Sequence, residues 1–270
     1  MTTIVQGEVI AQEIGDKIAG AVQMMIKKPT LGIVVVSENK VTQSYIARKR
    51  LYAQVVGIPF VEKYLSEDIS QEDLEKEVSD FAETVDGLVV QLPLPKHIDA
   101  DRVLYLIPQN KDVDALHPSG ASEGVIGPVA GAVLEVLREH GVEVSGKNCV
   151  VIGRGQLVGT PTARELERLG GVVQSADRHT DREDLLEMLQ KADIVVSGAG
   201  VASLVTPDII PDGVVLIDAG TSAAKGTITG DIDPSCYDHA QLVSPTPGGI
   251  GPITVAKLFE NLIVLATLDN

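Results

Sequence analysis

The run Leu31–Val36 (LGIVVV) is apolar at every position. A strand with one wet face alternates apolar and polar residues. An unbroken apolar run of strand length therefore predicts a strand covered on both faces, as in parallel sheets. Gly87–Gln91 (GLVVQ) is a second run of this kind, stopped by Pro93 and Pro95. Phe60–Leu65, Val150–Ile152, Val172–Ser175, Ile194–Gly198 and Val214–Asp218 read as further strands. Helical patterns separate them. Ile10, Ile14, Ile18 and Val22 form a helix stripe, and Thr42–Val56 reads as a helix ended by Gly57. Ser70 with Asp73 resembles a capping box that opens a helix to Phe81, and Thr180 with Glu183 is expected to cap another that ends near Lys191. Thr254–Leu268 closes the sequence as a helix. Parallel strands need crossovers, and helical crossovers cover both sheet faces, so the alternation predicts an α/β fold.

At 270 residues the chain fits two such domains or one large one. The Gly-, Ser- and Pro-rich stretch Asp114–Gly127 and the segment Pro245–Pro252 (PTPGGIGP) are the expected boundaries. Aromatic residues are only 3%, so the core rests on Val, Ile, Leu and Ala, and a base-stacking platform for nucleic acid is excluded. The net charge of −16 repels nucleic acid and anionic membrane alike, so an anionic ligand needs a locally basic pocket. Cys149 and Cys236 lie far apart with no CxxC pair, and the histidines show no HExxH spacing. No metal site is expected, and the two thiols read as buried and free in a reducing compartment. Glu8, Glu13 and Asp16 interrupt the N-terminal apolar residues, so no signal peptide is read there, and no segment is read as apolar for long enough to span a bilayer. The expected location is cytoplasmic.

Gly153-Arg154-Gly155-Gln156-Leu157-Val158-Gly159 follows a strand and opens a helix to Leu169. The first glycine permits a tight turn, and a missing side chain at the second lets a pyrophosphate approach the backbone. The amides of the helix N-terminus then bind the anion. The spacing is a GxGxxxG variant of the dinucleotide fingerprint. A second strand follows at the expected distance and ends at Asp177-Arg178. A carboxylate at that place bonds the ribose hydroxyls of NAD and repels a 2′-phosphate, whereas guanidinium groups attract one.

Tyr45 and Lys49 are four residues apart on a predicted helix and share one face. A Lys partly desolvated beside a Tyr exchanges protons near neutral pH. The same spacing also fits a solvated basic run, Arg48-Lys49-Arg50. Gln91 ends a buried strand, where parallel sheets line ligand crevices, and its amide both donates and accepts. Asp112 and Asp114 follow in KDVDAL, where an Asp either anchors an amino-pyrimidine edge by paired hydrogen bonds or belongs to an Asp-rich turn.

Together these segments resemble the bifunctional methylenetetrahydrofolate dehydrogenase/methenyltetrahydrofolate cyclohydrolase family, almost end to end and in the same order. Thr42-Gln43-Ser44-Tyr45-Ile46-Ala47-Arg48-Lys49 is similar to the family's SxxYVxxK helix, and Val90-Gln91-Leu92-Pro93-Leu94-Pro95-Lys96-His97 matches VQLPLPKH without change. Lys111-Asp112-Val113-Asp114 matches KDVDG up to Ala115, which replaces its Gly. Gly153-Arg154-Gly155, Val158-Gly159 and Pro161 follow GRSxxVGxP, with Gly155 for Ser. Pro245–Thr254 is similar to TPVPGGVGPMT. The departures are Gly127-Pro128-Val129-Ala130 in place of a Pro-Cys-Thr-Pro segment, a short stretch from Asp114 to Gly131, and Asp177-Arg178 in place of His-Ser.

The resemblance implies an N-terminal α/β catalytic domain of residues 1–120 rejoined by 252–270, a Rossmann-like parallel-sheet domain of 121–251, a cleft between them and a homodimer. It implies that Lys49 transfers the proton of the cyclohydrolase step, that Tyr45 orients the folate, that Gln91 holds Lys49 reactive and that Asp114 anchors the pterin. Val90, Leu92, Pro247, Gly248 and Gly249 would complete the folate site. Gly153, Arg154, Gly155, Val158, Gly159, Asp177, Arg178 and Thr221 would hold the cofactor. Arg154, the family's Arg toward the 2′-phosphate, and Arg178 beside it favour NADP, and Asp177 keeps NAD as the alternative. A dehydrogenase-only relative would lack the Lys, and a non-catalytic dinucleotide sensor would need none of Tyr45, Lys49, Gln91 and Asp114.

Overall fold

The structure, a computed structural model, describes residues 1–36, 40–224 and 227–268. In chain order its elements are β1 (Thr3–Ile4), α1 (Gly7–Met24), β2 (Leu31–Val35), α2 (Lys40–Val56), β3 (Phe60–Tyr64), α3 (Gln71–Ala82), β4 (Gly87–Val90) and α4 (Ala100–Leu104). There follow α5 (Pro128–Glu139), β5 (Asn148–Ile152), α6 (Gly159–Arg168), β6 (Val172–Ala176), α7 (Arg182–Gln190), β7 (Ile194–Ser197) and β8 (Val214–Asp218). The chain ends with β9 (Ser222–Ala224), β10 (Thr227–Thr229), β11 (Ala240–Ser244) and α8 (Ile250–Leu268). These form two compact units, Gln12–Pro128 with Val255–Asn270, and Met1–Ala11 with Val129–Thr254.

The first unit is built on a parallel sheet of order β3-β2-β4. The apolar run that opens the sequence reading is its central strand, and all five residues of β2 are buried. Asp112 adds a parallel bridge to Leu88 of β4, which ties the KDVDA loop to the sheet. Ser70 caps α3 as the capping box predicts, accepting the Asp73 amide at 3.1 Å, and the helix buries Leu74, Val78 and Phe81. A side chain at Gly32 would stand 2.9 Å from the Phe81 ring, so the glycine is what lets α3 lie flat on β2.

The C-terminal part of α8 completes this unit. Its helix of 19 residues, mean hydropathy 1.4, is long and apolar enough to cross a membrane, contrary to the sequence expectation that no segment is. Its apolarity is used in packing here: Leu258, Phe259, Leu262 and Leu265 are buried. Leu262 fills the space beside Gly87, where a side chain would lie 2.5 Å from it, and the Phe259 ring sits 5.3 Å from Tyr52. Among these apolar residues Asn261 donates to the Val113 carbonyl at 2.9 Å and to the Ile126 carbonyl at 2.8 Å.

The second unit carries a six-stranded sheet of order β1-β11-β8-β7-β5-β6, parallel at every pairing. From β5 the chain crosses by α6 to β6 on one side, then returns by α7 to β7 on the other. The direction of travel reverses between β5 and β7, where open α/β sheets form their ligand crevice. Residues 1–11, expected with the N-terminal domain, belong here, because β1 pairs with β11 at Thr3↔Leu242 and Ile4↔Val243. Residues 121–128, expected here, group with the first unit. The N-cap position of α7 is Asp181, which makes no side-chain capping bond, rather than Thr180, whose hydroxyl instead accepts the Asp177 amide at 2.9 Å. Cys149 and Cys236 are free and buried, as expected.

Asn261 donates to two main-chain carbonyls, one buried and one part-buried. Asn261→Ala is expected to cost about 2–4 kcal/mol, since each abandoned polar group costs roughly 1–3 kcal/mol. Urea unfolding measures it, and a midpoint equal to wild type would mean that water replaces the amide.

Candidate active site

In the first unit, three of the predicted residues converge. Lys49 lies on α2, one turn after Tyr45, and Gln91 follows the last residue of β4. Lys49 Nζ donates to Gln91 Oε1 at 3.0 Å. Gln91 Nε2 donates to the Leu92 carbonyl at 2.9 Å, which turns the amide oxygen toward the lysine. Burial lowers the Lys49 pKa, and the nearby Asp114 carboxylate works against that shift. Burial raises the Asp114 pKa, opposed in turn by Lys49. Both groups therefore move toward the neutral range from opposite ends, the condition under which a side chain both takes and gives a proton.

Asp112, two residues before Asp114, is only 1% exposed. Its Oδ2 accepts the His117 amide at 2.7 Å, and its Oδ1 has no hydrogen-bond partner among the described residues. Burial pushes its pKa up from 3.8 to about 6. The turn it braces includes Ala115, whose φ of 56° is left-handed backbone. The Gly of the KDVDG motif that this segment resembles would take that backbone without the strain an L side chain meets. Tyr45 is partly buried on the lysine's helix, as is Leu92 after Gln91. Val90, expected to line the folate, is 2% exposed and packs in the core with Leu88 and Ile98, so its side chain is not presented to a ligand.

In the second unit, the glycine turn leaves β5 as read. A side chain at Gly159 would stand 1.8 Å from the Gly153 carbonyl oxygen, and one at Gly153, φ 104°, would stand 2.7 Å from the Gly198 oxygen. At Gly155 nothing lies within 4 Å, so the space before that backbone is open. Helix α6 begins after Val158 with no side-chain cap. The Thr160 amide donates to the Gly155 carbonyl at 3.1 Å and Pro161 has no amide hydrogen, so the fit to a dinucleotide rests on the open backbone at Gly155 and on the tight glycine turn at the helix start.

Arg154 and Asp177 meet at the end of β6. Arg154 Nε lies 3.7 Å from the Asp177 carboxylate, and its Nη2 donates to the Ser175 carbonyl at 2.8 Å. The His179 amide, donating at 2.8 Å, holds Asp177 low in the carboxylate range, with help from Arg154. Arg178 bonds its neighbour His179 at 3.1 Å instead of joining that pair. Thr221 is exposed after β8, its carbonyl oxygen 3.7 Å from where a Gly200 side chain would begin. Pro247 follows a cis peptide bond, Gly248 has φ 97°, and a side chain at Gly249 would stand 2.3 Å from Ser244 Oγ. Those three residues form a tight connection in the second unit.

The sequence reading missed two buried carboxylates, Asp218 and Asp231, which hold the loops at this sheet's carboxyl edge. Asp218 carried a signal, as a charged residue ending the apolar run VVLID, whereas Asp231 after Gly230 carried none.

Residues 5–114 match the catalytic domain of tetrahydrofolate dehydrogenase/cyclohydrolase, and residues 128–270 match that family's NAD(P)-binding domain. This chain belongs to the tetrahydrofolate dehydrogenase/cyclohydrolase family. It is 33% identical to the bifunctional protein FolD of Listeria innocua, with 98% of each chain covered. The crystal structure of the bifunctional FolD of Campylobacter jejuni superposes with a TM-score of 0.95 at 29% identity, covering 100% of both chains. That of Trypanosoma brucei FolD, complexed with NADP and an inhibitor, gives 0.94 at 31% identity over 99% of this chain and 98% of that one. The Lys49–Gln91 contact falls in the family's catalytic domain, and the glycine turn in its NAD(P)-binding domain.

Asp112 sets a pH dependence. An acid whose folded pKa lies above its unfolded one stabilises the fold while protonated. Its contribution is complete below pH 3.8 and is lost as pH rises through about 6. Asp112→Asn keeps an acceptor for His117 and removes the titration. Between about pH 4.5 and 7.5 the wild type should lose on the order of 1–3 kcal/mol more than the variant. Urea unfolding at both pH values compares them, and parallel losses would place the titration elsewhere.

Proposed function

We propose that this chain oxidises 5,10-methylenetetrahydrofolate to 5,10-methenyltetrahydrofolate and hydrolyses the product to 10-formyltetrahydrofolate. The observation that carries the reading is the 3.0 Å hydrogen bond from Lys49 Nζ to Gln91 Oε1, beside Asp114. In the hydrolysis, water adds to the methenyl carbon, the bond from that carbon to N5 breaks, and N5 gains a proton while one proton is released. Lys49 moves those protons, with Gln91 fixing its Nζ and burial keeping its pKa within reach. Tyr45 orients the folate and Asp114 anchors the pterin. The oxidation asks less of side chains: the dinucleotide, when bound, accepts the hydride, and the chain holds donor and acceptor in register. Assembly as a homodimer in the cytoplasm is proposed on the family resemblance.

For the cofactor we propose NADP, with Arg154 toward the 2′-phosphate. NAD remains the second reading because Asp177 stands 3.7 Å from Arg154 and competes for its charge. Arg178, expected as a second phosphate ligand, bonds His179 and supports NADP less directly.

Lys49→Met should slow the decay of methenyltetrahydrofolate by about 100- to 10,000-fold, the usual loss with a positioned acid/base. The dehydrogenase step should survive in part. Decay at the wild-type rate would remove Lys49 from the mechanism. Asp177→Asn should raise the ratio of kcat/KM for NADP over NAD roughly tenfold, since one unpaired guanidinium contact is worth about 1.4 kcal/mol. An unchanged ratio would take Asp177 out of the cofactor pocket.

A further inference from the structure

The loops at the carboxyl edge of the six-stranded sheet are held by two interlocked carboxylates. Asp218 ends β8 and is 1% exposed; Asp231 follows β10 and is fully buried. Asp218 Oδ1 accepts the amides of Gly220 at 3.0 Å and Asp231 at 3.1 Å, and its Oδ2 accepts that of Ile232 at 3.0 Å. Asp231 reaches on to β7. Its Oδ2 accepts the Ser197 hydroxyl at 2.8 Å and the amides of Ala199 at 2.7 Å and Gly200 at 3.1 Å, while its Oδ1 accepts the Val201 amide at 2.7 Å. Glycines make the approach possible: a side chain at Gly220 would stand 2.0 Å from the Asp231 carboxyl carbon, and one at Gly230 would stand 1.9 Å from Asp218 Oδ2.

Three successive amides around a left-handed Gly200, φ 71°, make a nest of the kind that binds anions. Here the chain fills its own nest, so a ligand phosphate has no place in it, and the pyrophosphate is left to the glycine turn after β5. The filled nest stands across the crevice from that turn, and the two touch. A side chain at Gly198 would meet Val158 at 2.4 Å, and one at Gly153 would meet the Gly198 oxygen. In a doubly wound sheet the strand pair β5 and β6 takes the adenosine half of a dinucleotide. The strands beyond the reversal, β7 and β8, take the other half.

We infer that Asp231 is a positioning residue of the dinucleotide site, fixing the Ala199–Val201 wall for the nicotinamide half and favouring the oxidised ring with its buried negative charge. This rests on the dinucleotide reading of the glycine turn. The oxidised ring is cationic and the reduced ring is neutral, so an anion buried behind the wall favours one form over the other. A group that merely held the fold together would affect both forms alike.

The test uses the oxidised and reduced forms of whichever nicotinamide cofactor the full-length wild type turns over, each titrated by calorimetry against wild type and Asp231→Asn. The amide keeps one oxygen and sets a donor against at least one amide of the nest. The expected result is a Kd raised roughly 5- to 100-fold for the oxidised form, the span of one unsatisfied buried group. The reduced form should weaken severalfold less. Gly200→Ala serves if Asp231→Asn fails to fold: nothing but the Thr221 oxygen lies within 4 Å of the added carbon, yet φ 71° strains it, so the nest shifts with the carboxylate intact. It should weaken both forms while keeping their ratio. Unchanged affinities in both variants, or an equal loss of both forms in Asp231→Asn, would overturn the inference. A wild type that binds neither cofactor would instead overturn the dinucleotide reading beneath it.

Discussion

Parallel pairing is the constraint from which the rest follows. Two parallel strands cannot be joined by a tight turn, so each pairing demands a crossover over one face. Strands joined this way end along the same edge of their sheet. In the three-stranded unit that edge places Gln91 after β4. In the six-stranded unit it places Gly153 after β5, Gly198 after β7 and the terminal Asp218 of β8. The residues with chemistry are where the chain has to leave the sheet, while the strands that carry them there are buried and apolar.

The two units surround their buried charges with different partners. Asp231 accepts four donors and Asp218 three, so their charge is spread into backbone dipoles. Such groups make rigid loops, because an amide that moves away loses its acceptor. Lys49 and Asp114 are placed differently. Burial displaces the pKa of each toward its neutral form, and each resists the other's displacement. A charge held this loosely can be given up during a reaction.

Much of this was legible from the residues. Short unbroken apolar runs bounded by turn residues read as strands covered on two sides, and the glycine turn could be read because a side chain at Gly153 or Gly159 meets backbone. Lys49, Gln91 and Asp114 could be named because their motifs fix them, although nothing in the spacing said that an amide oxygen would face the lysine. What stayed hidden was set by distant partners. β1 is two residues long, and only its pairing with a strand more than two hundred residues away makes it one. Thr180 is a good capping residue, but its hydroxyl is taken by the Asp177 amide, and α7 starts one residue later without a side-chain cap. Asp231 looked like an ordinary loop acid, since a sequence does not show three amides from another loop closing around it.

The first unit is assembled from two pieces, Gln12–Pro128 and Val255–Asn270, with the whole of the second unit's long segment between them. Phe259, Asn261 and Leu262 fill the space around Tyr52, Val113 and Gly87. A ribosome therefore finishes the six-stranded sheet before it supplies the helix that closes the earlier three-stranded one. For most of synthesis the nascent first unit carries an open apolar face, and its order of completion is the reverse of its order in the message.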